Sequence, residues 1–237
     1  MTIPADTPGH RAYYDAATTW PPGQTQKLKA LRLDLARPEA AGELVAAIDR
    51  LGLEVDLLVN NAGMFFFGEA ADADPARASA LLQLHVVTPS LLCTLLARGM
   101  RERGRGQVLI VSSISAWRDF PGISYYGSSK KYLRGFARAL RSELAPYGVN
   151  VTCLAPGATA TGLYDATVVP VELGRRLGVM MDPAQVARAG LEAMFRGEAE
   201  HVPGALTRLM TAAAVVTPQP LIDWIRRRAP WLKPAAR

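Results

Sequence analysis

Three short apolar runs punctuate this chain: Val55-Asp-Leu-Leu-Val-Asn60, Gln107-Val-Leu-Ile-Val-Ser112 and Val149-Asn-Val-Thr-Cys-Leu154. A long stretch of helical periodicity separates each from the next, Ala76 to Arg103 and then Tyr126 to Ala145. Short apolar runs bounded by polar residues fit buried parallel strands, and parallel neighbours need a helical crossover between them. The rhythm therefore predicts an α/β fold, a doubly wound, mostly parallel sheet with helices on both faces. Leu31 to Asp34 alternates like a further strand and Leu44 to Leu51 like the helix after it. The pre-proline rule predicts a bend of the Ala76–Arg103 helix near Thr88-Pro89. In the Tyr126–Ala145 helix, Leu133, Phe136, Leu140 and Leu144 mark one apolar face, with Pro146 and Gly148 as terminators.

The 237 residues suffice for one large domain and are short for two, so a single domain over 1–237 is expected, with 1–9 and 230–237 loose. Hydrophobic residues make up 49% of the chain, ample for a core. Cys93 and Cys153 stand in apolar surroundings and read as buried, reduced thiols of a cytoplasmic protein. The N-terminus has no basic stretch with an apolar signal core, and no apolar run reaches the ~18 residues of a membrane span. The net charge of +6 comes from scattered arginines, densest at Arg226-Arg-Arg228, without interleaved aromatics. That pattern reads as a solvated basic face and not a nucleic-acid site. No metal site is expected.

The chemistry lies in Tyr126-Gly-Ser-Ser-Lys130. Residues four apart on a helix share a face. A free tyrosine with pKa ~10 is a poor acid or base at neutral pH, and a neighbouring ammonium favours its phenolate. Ser113, thirteen positions earlier at a strand end, offers a hydroxyl to hold a substrate oxygen beside that phenol. Such a pair alone is common on solvated helix faces. Here it stands in a series: Asp34, then Asn60-Asn61-Ala62-Gly63, then Val111-Ser112-Ser113, then Tyr126 and Lys130, then Pro156-Gly157 with Thr161.

In that order and spacing the chain resembles the short-chain dehydrogenase/reductase family, from about residue 28 onward. The resemblance implies a Rossmann-like fold and hydride transfer between NAD or NADP and a carbonyl/alcohol pair, with NADPH slightly favoured on family grounds. Tyr126 matches the general acid/base and Ser113 the residue that orients the substrate oxygen. Lys130 matches the residue that contacts the nicotinamide ribose and lowers the tyrosine pKa. Asp34 matches the adenine contact. Asn60, Ala62 and Gly63 match the segment beside the cofactor, and Pro156, Gly157 and Thr161 the loop at its nicotinamide end. Asn60-Asn61 and Pro156-Gly157 also read as plain turn residues.

Two departures stand out. His85 occupies the place of the family's fourth catalytic residue, an asparagine that holds a water linking the lysine to solvent. His85 either keeps that relay or is a buried, hydrogen-bonded helix residue. The second departure is the family's Thr-Gly-x-x-x-Gly-x-Gly loop, which cradles the cofactor pyrophosphate and has no counterpart here. Gly9 is isolated and Trp20-Pro-Pro-Gly23 is no substitute. The first strand and its loop are therefore expected to be missing, as in an incomplete version of a longer enzyme (the favoured reading), a degenerate member that binds cofactor poorly, or a chain whose rebuilt N-terminus supplies a new cofactor contact. Removing that central strand would expose strand edges. His10 to Ala16 reads as a strand.

In relatives the substrate pocket follows these same segments, which here carry Met64, Phe65, Phe66, Phe67, Trp117, Phe120, Leu163 and Tyr164. Bulky apolar lining suggests a hydrophobic ketone or alcohol. Val179-Met-Met181 reads as a lid or as packing. Leu221 to Leu232 mixes apolar, tryptophan and arginine residues, and covers an apolar groove or, as the lesser reading, lies on an anionic membrane surface. Relatives form dimers or tetramers through the two long helices, so a homodimer or homotetramer is expected. The competing reading is a non-catalytic binding protein on a dehydrogenase scaffold.

Overall fold

A computed structural model of the protein describes residues 30–163 and 180–228. The sequence features at Gly9, His10–Ala16, Trp20–Gly23, Tyr164, Val179 and Trp231-Leu232 lie outside the described residues. The chain parts into two compact units, Met1–Leu33 and Asp34–Arg237, and the architecture that follows is that of the second.

Among the described residues four parallel strands form one sheet in the order β1-β2-β3-β4: β1 (Leu57–Asn60), β2 (Gly106–Val111), β3 (Val149–Leu154) and β4 (Glu200–His201). The helices are α1 (Ala40–Arg50), α2 (Pro75–Leu82), α3 (Thr88–Arg103), α4 (Ser124–Leu144), α5 (Pro183–Phe195), α6 (Ala205–Val216) and α7 (Gln219–Arg228). The α/β class read from the sequence is thus the observed one.

Period-2 alternation divides the core. Val108 and Ile110 of β2 and Val149, Val151 and Cys153 of β3 face one layer, packed with Leu92, Ala97 and Met100 of α3 and Leu133 and Ala137 of α4. Leu109 and Leu154 face the other layer, against Val186 and Met194 of α5. Helix boundaries follow local chemistry. Asp74 and Asp182 cap α2 and α5, each accepting backbone N–H bonds ahead of a proline at the first helical position. Gly104 ends α3 and Gly148 follows α4, both in the left-handed region.

Two expectations need correction. Leu31 to Asp34 is not a strand; Leu31 is 54% exposed, and the Asp34 carboxylate instead takes the Ala36 N–H at 3.0 Å. Short acidic side chains offer the backbone this local alternative to a ladder. β1 is not fully buried either. Leu58 enters the core, while Leu57 and Val59 on the opposite face are 46% and 45% exposed.

Just ahead of Thr88-Pro89, where a bend is expected, the continuous helix from Pro75 to Arg103 contains a π-turn, Gln83–Val87. A proline ring clashes with the carbonyl four residues back, here His85, and widening that turn relieves the clash. This 29-residue helix is long and apolar enough to cross a membrane by length and composition, with a window of mean hydropathy 1.7. Its Leu81, Leu92, Cys93, Ala97 and Met100 are buried, while Leu82, Val87 and Leu91 are exposed.

Candidate functional site

The candidate residues gather where β1, β2 and β3 end and the first turns of α4 cross them. Tyr126 and Lys130 lie on the buried face of α4. The Lys130 ammonium donates to the Val111 carbonyl at 3.0 Å, at the last residue of β2, and stands 5.6 Å from the centre of the Tyr126 ring. Ser113 follows two positions after Val111. It caps the turn Ile114–Ala116, with its hydroxyl oxygen accepting the Ser115 N–H at 3.2 Å. The Ser112 hydroxyl donates to the Lys130 carbonyl at 2.7 Å and ties β2 to α4. One lysine side chain and one serine hydroxyl thus draw Ser113, Tyr126 and Lys130 to a single strand end.

Electrostatics follow from burial. Lys130 is 5% exposed, and desolvation pulls its pKa down to about 8 against a smaller upward pull from Cys153. His85 is driven down to about 3, first by burial and then by the Lys130 charge. Burial pushes the thiols of Cys93 and Cys153 up to about 12, so both are inert at neutral pH. Neither is in a disulfide, and Cys93 accepts from the Asn60 side chain at 3.3 Å.

Each residue expected in a cofactor site has a definite place. Asn60 ends β1; its side chain serves the core, while Ala62 and Gly63 are exposed. A side chain at Gly63 would meet His85 Nε2 at 3.1 Å and Lys130 Nζ at 3.8 Å, so glycine there lets the backbone lie against both. Pro156 accepts the Ile114 N–H at 3.1 Å, and a Cβ at Gly157 would crowd Thr207 at 2.9 Å. The Thr161 hydroxyl caps its own turn by accepting the Leu163 N–H at 3.3 Å. Asp34 is exposed beside Leu35, whose carbonyl accepts from Thr88 at 2.8 Å. A close-lying glycine segment, a buried ammonium and a flanking loop fit the nicotinamide–ribose end of a dinucleotide. Among the described residues nothing corresponds to a pyrophosphate cradle, and no group of acidic, histidine and cysteine side chains could hold a metal.

The apolar lining divides. Phe65 meets Tyr126 edge-on at 5.0 Å, and Phe66 lies 5.9 Å from Tyr125 under the Arg77 guanidinium. Phe67 packs over Gly122 and Phe120 is exposed. Trp117 belongs to another cluster. It lies 4.1 Å from the Arg134 guanidinium, which pairs with Glu200 at 2.6 Å, and it borders an open cleft of about 600 Å³. Met181 is stitched to Ala158 and Ala160 by backbone bonds and Met180 is buried, so this pair is packing. Helix α7 is anchored within the chain, Arg226 to Glu69 and Gln219 to the Asp119 carbonyl.

Sequence reasoning misses two contributors, Ser129 and the backbone amide of Met64. Ser129 donates to the Tyr126 carbonyl at 2.7 Å and contacts His85, and the Met64 N–H donates to His85 Nε2 at 2.9 Å. The serine could have been found as a helix hydroxyl returning to the carbonyl three residues back. The amide carries no sequence signal at all.

This fold and constellation are those of a short-chain dehydrogenase, and the family model of that description matches residues 15–168. The chain belongs to that family. It is 38% identical over 128 residues to human dehydrogenase/reductase SDR family member 4, covering 54% of this chain and 46% of that protein. It is 29% identical over 218 residues to bovine SDR family member 7B, covering 92% and 65%. A short-chain dehydrogenase structure from Streptomyces avermitilis matches with a TM-score of 0.67 and 27% identity over 92% of this chain and 81% of that one. The chain spans about half the length of the SDR family member 4 proteins it matches.

Proposed function

We propose that this chain interconverts a hydrophobic ketone or aldehyde and its alcohol, with NAD or NADP as partner and Tyr126 as the proton donor and acceptor. The observation that carries the reading is the Lys130 ammonium, buried, held on the Val111 carbonyl and 5.6 Å from the Tyr126 ring. A bound nicotinamide would supply hydride to the carbonyl carbon or take it from the alcohol. In the reducing direction the Tyr126 O–H bond breaks as its proton passes to the substrate oxygen, and the Lys130 charge stabilises the phenolate left behind. Ser113 orients the substrate oxygen, and Phe65 and Phe66 supply an apolar wall that favours a bulky substrate.

Lys130, Gly63, Pro156, Gly157 and Thr161 would hold the nicotinamide end, with Asn60 and Ala62 shaping the segment beneath it. Asp34 would meet the adenine, for which its exposed carboxylate is available. Exposed Val87 and Leu91 of the Pro75–Arg103 helix and Tyr132 of α4 offer a surface for a homodimer or homotetramer. Unpaired thiols suit a reducing, cytoplasmic setting.

Titration of the purified chain with NADH and NADPH, followed by nicotinamide fluorescence, tests this reading. Saturable binding of either is expected. A folded chain that binds neither contradicts it and favours a non-catalytic binding protein on the same scaffold.

A further inference from the structure

His85 is 1% exposed, lies inside the π-turn, and has both its ring nitrogens engaged by protein. Nε2 lies 2.9 Å from the Met64 backbone nitrogen, and Nδ1 lies 2.9 Å from Ser129 Oγ. The donors are determined by their chemistry. A backbone N–H can only donate, so Nε2 must be bare. The Ser129 hydroxyl proton goes to the Tyr126 carbonyl at 2.7 Å, so Ser129 Oγ must accept from Nδ1–H. Both ends demand the same species, the neutral Nδ1–H tautomer.

Two further contacts agree. Gly63 brings the loop so close that even a Cβ would stand 3.1 Å from Nε2, and the Lys130 ammonium disfavours a second cation beside it. The imidazole also meets the Tyr126 ring edge-on at 5.8 Å, and Phe65, next to the clamped Met64, meets that ring at 5.0 Å.

We infer that His85 is a positioning residue, a neutral Nδ1–H clamp that ties the Gly63–Phe65 loop to the first turns of α4 and so aims Tyr126. With both nitrogens occupied, the ring carries no proton between Lys130 and solvent. The inference deepens the enzymatic reading given under Proposed function and rests on it for its kinetic part. The clamp itself is legible without turnover.

The test has two arms on the full chain. In ¹⁵N-histidine-labelled wild-type protein, with His85→Gln used to assign the signal, His85 should show Nδ1–H and bare Nε2 at both pH 5.5 and pH 8.5. An imidazolium, an Nε2–H tautomer or a titration between those values overturns the clamp.

In the kinetic arm, glutamine reaches the Nε2 position and keeps the Met64 bond, whereas leucine keeps neither. kcat/KM should fall by about tenfold or more in His85→Leu and recover most of that loss in His85→Gln, with no ionisation lost from the pH profile. Wild-type turnover in His85→Leu, or equal loss in both variants, overturns the positioning role. A wild-type chain with the expected tautomer but no turnover on any carbonyl overturns the enzymatic reading and with it the aiming of Tyr126, leaving only the clamp. The wrong tautomer with full turnover overturns the clamp alone.

Discussion

β3 and β1 are near neighbours in one sheet, and they differ in almost every respect that matters. β3 bonds to strands on both sides, and five of its six residues are buried. β1 has a single described partner and leaves Leu57 and Val59 open on one face. The chemistry follows this division. Ser113, Tyr126 and Lys130 hang on β2 and α4, which pack against β3, whereas the segment after β1 offers mainly backbone and glycine. A buried ammonium beside a phenol needs neighbours fixed by packing, and β3 with its two partner strands supplies them.

The largest effect expected from this division is on rate. Lys130→Met should lower kcat by about 10²–10⁴-fold. The same variant should not lose stability at neutral pH, since it removes a cation that burial disfavours. The sign follows from the pKa. The folded value, about 8, lies below the ordinary lysine value of 10.5 that holds in the unfolded chain, so the unfolded chain binds more protons between them. The Lys130 contribution to stability therefore rises with pH through that window, and this rise should vanish in Lys130→Met. Denaturant midpoints at pH 7.5 and pH 10 measure it, and equal alkaline slopes in both proteins would contradict it.

Next comes packing. Ile110 is fully buried between β1 and β3, and Ile110→Ala should cost about 2–5 kcal/mol by urea unfolding. Val59→Thr on the open face should cost about 0.5 kcal/mol or less. A comparable loss at Val59 would mean that its exposed face is covered in solution, and the contrast between the strands would fail.

The smaller expectation concerns acid. His85 has a folded pKa near 3 against 6.5 unfolded, so its contribution is present above pH 6.5 and is lost as pH falls toward 3. Between pH 6.5 and pH 4 the wild-type urea midpoint should fall more steeply than that of His85→Gln. Parallel slopes would show that His85 is not held neutral.

Much of the candidate site's placement could be read from the sequence because its signals are local. Tyr126 and Lys130 sit four apart on a helix with one strong apolar stripe, and Ser113 directly follows a strand with a bounded apolar run. What could not be read depends on long-range contact. Met64 and Ser129 reach His85 from 21 and 44 residues away, one of them through a backbone amide. The π-turn escaped because the pre-proline rule signals a disturbance without saying how a helix absorbs it. The partial exposure of β1 escaped because an apolar run of four to six residues reads the same at a sheet edge and at its centre. Trp117 was placed with the apolar lining because its position in the chain says nothing of Arg134, which its ring meets from the next helix.

Proton transfer by Tyr126 in a hydride-transfer reaction is decided by comparing Tyr126→Phe with the wild-type chain. With NADPH or NADH and a bulky apolar ketone, wild-type turnover and its loss in Tyr126→Phe are expected, with cofactor affinity nearly unchanged. Turnover retained by the phenylalanine variant would contradict the account.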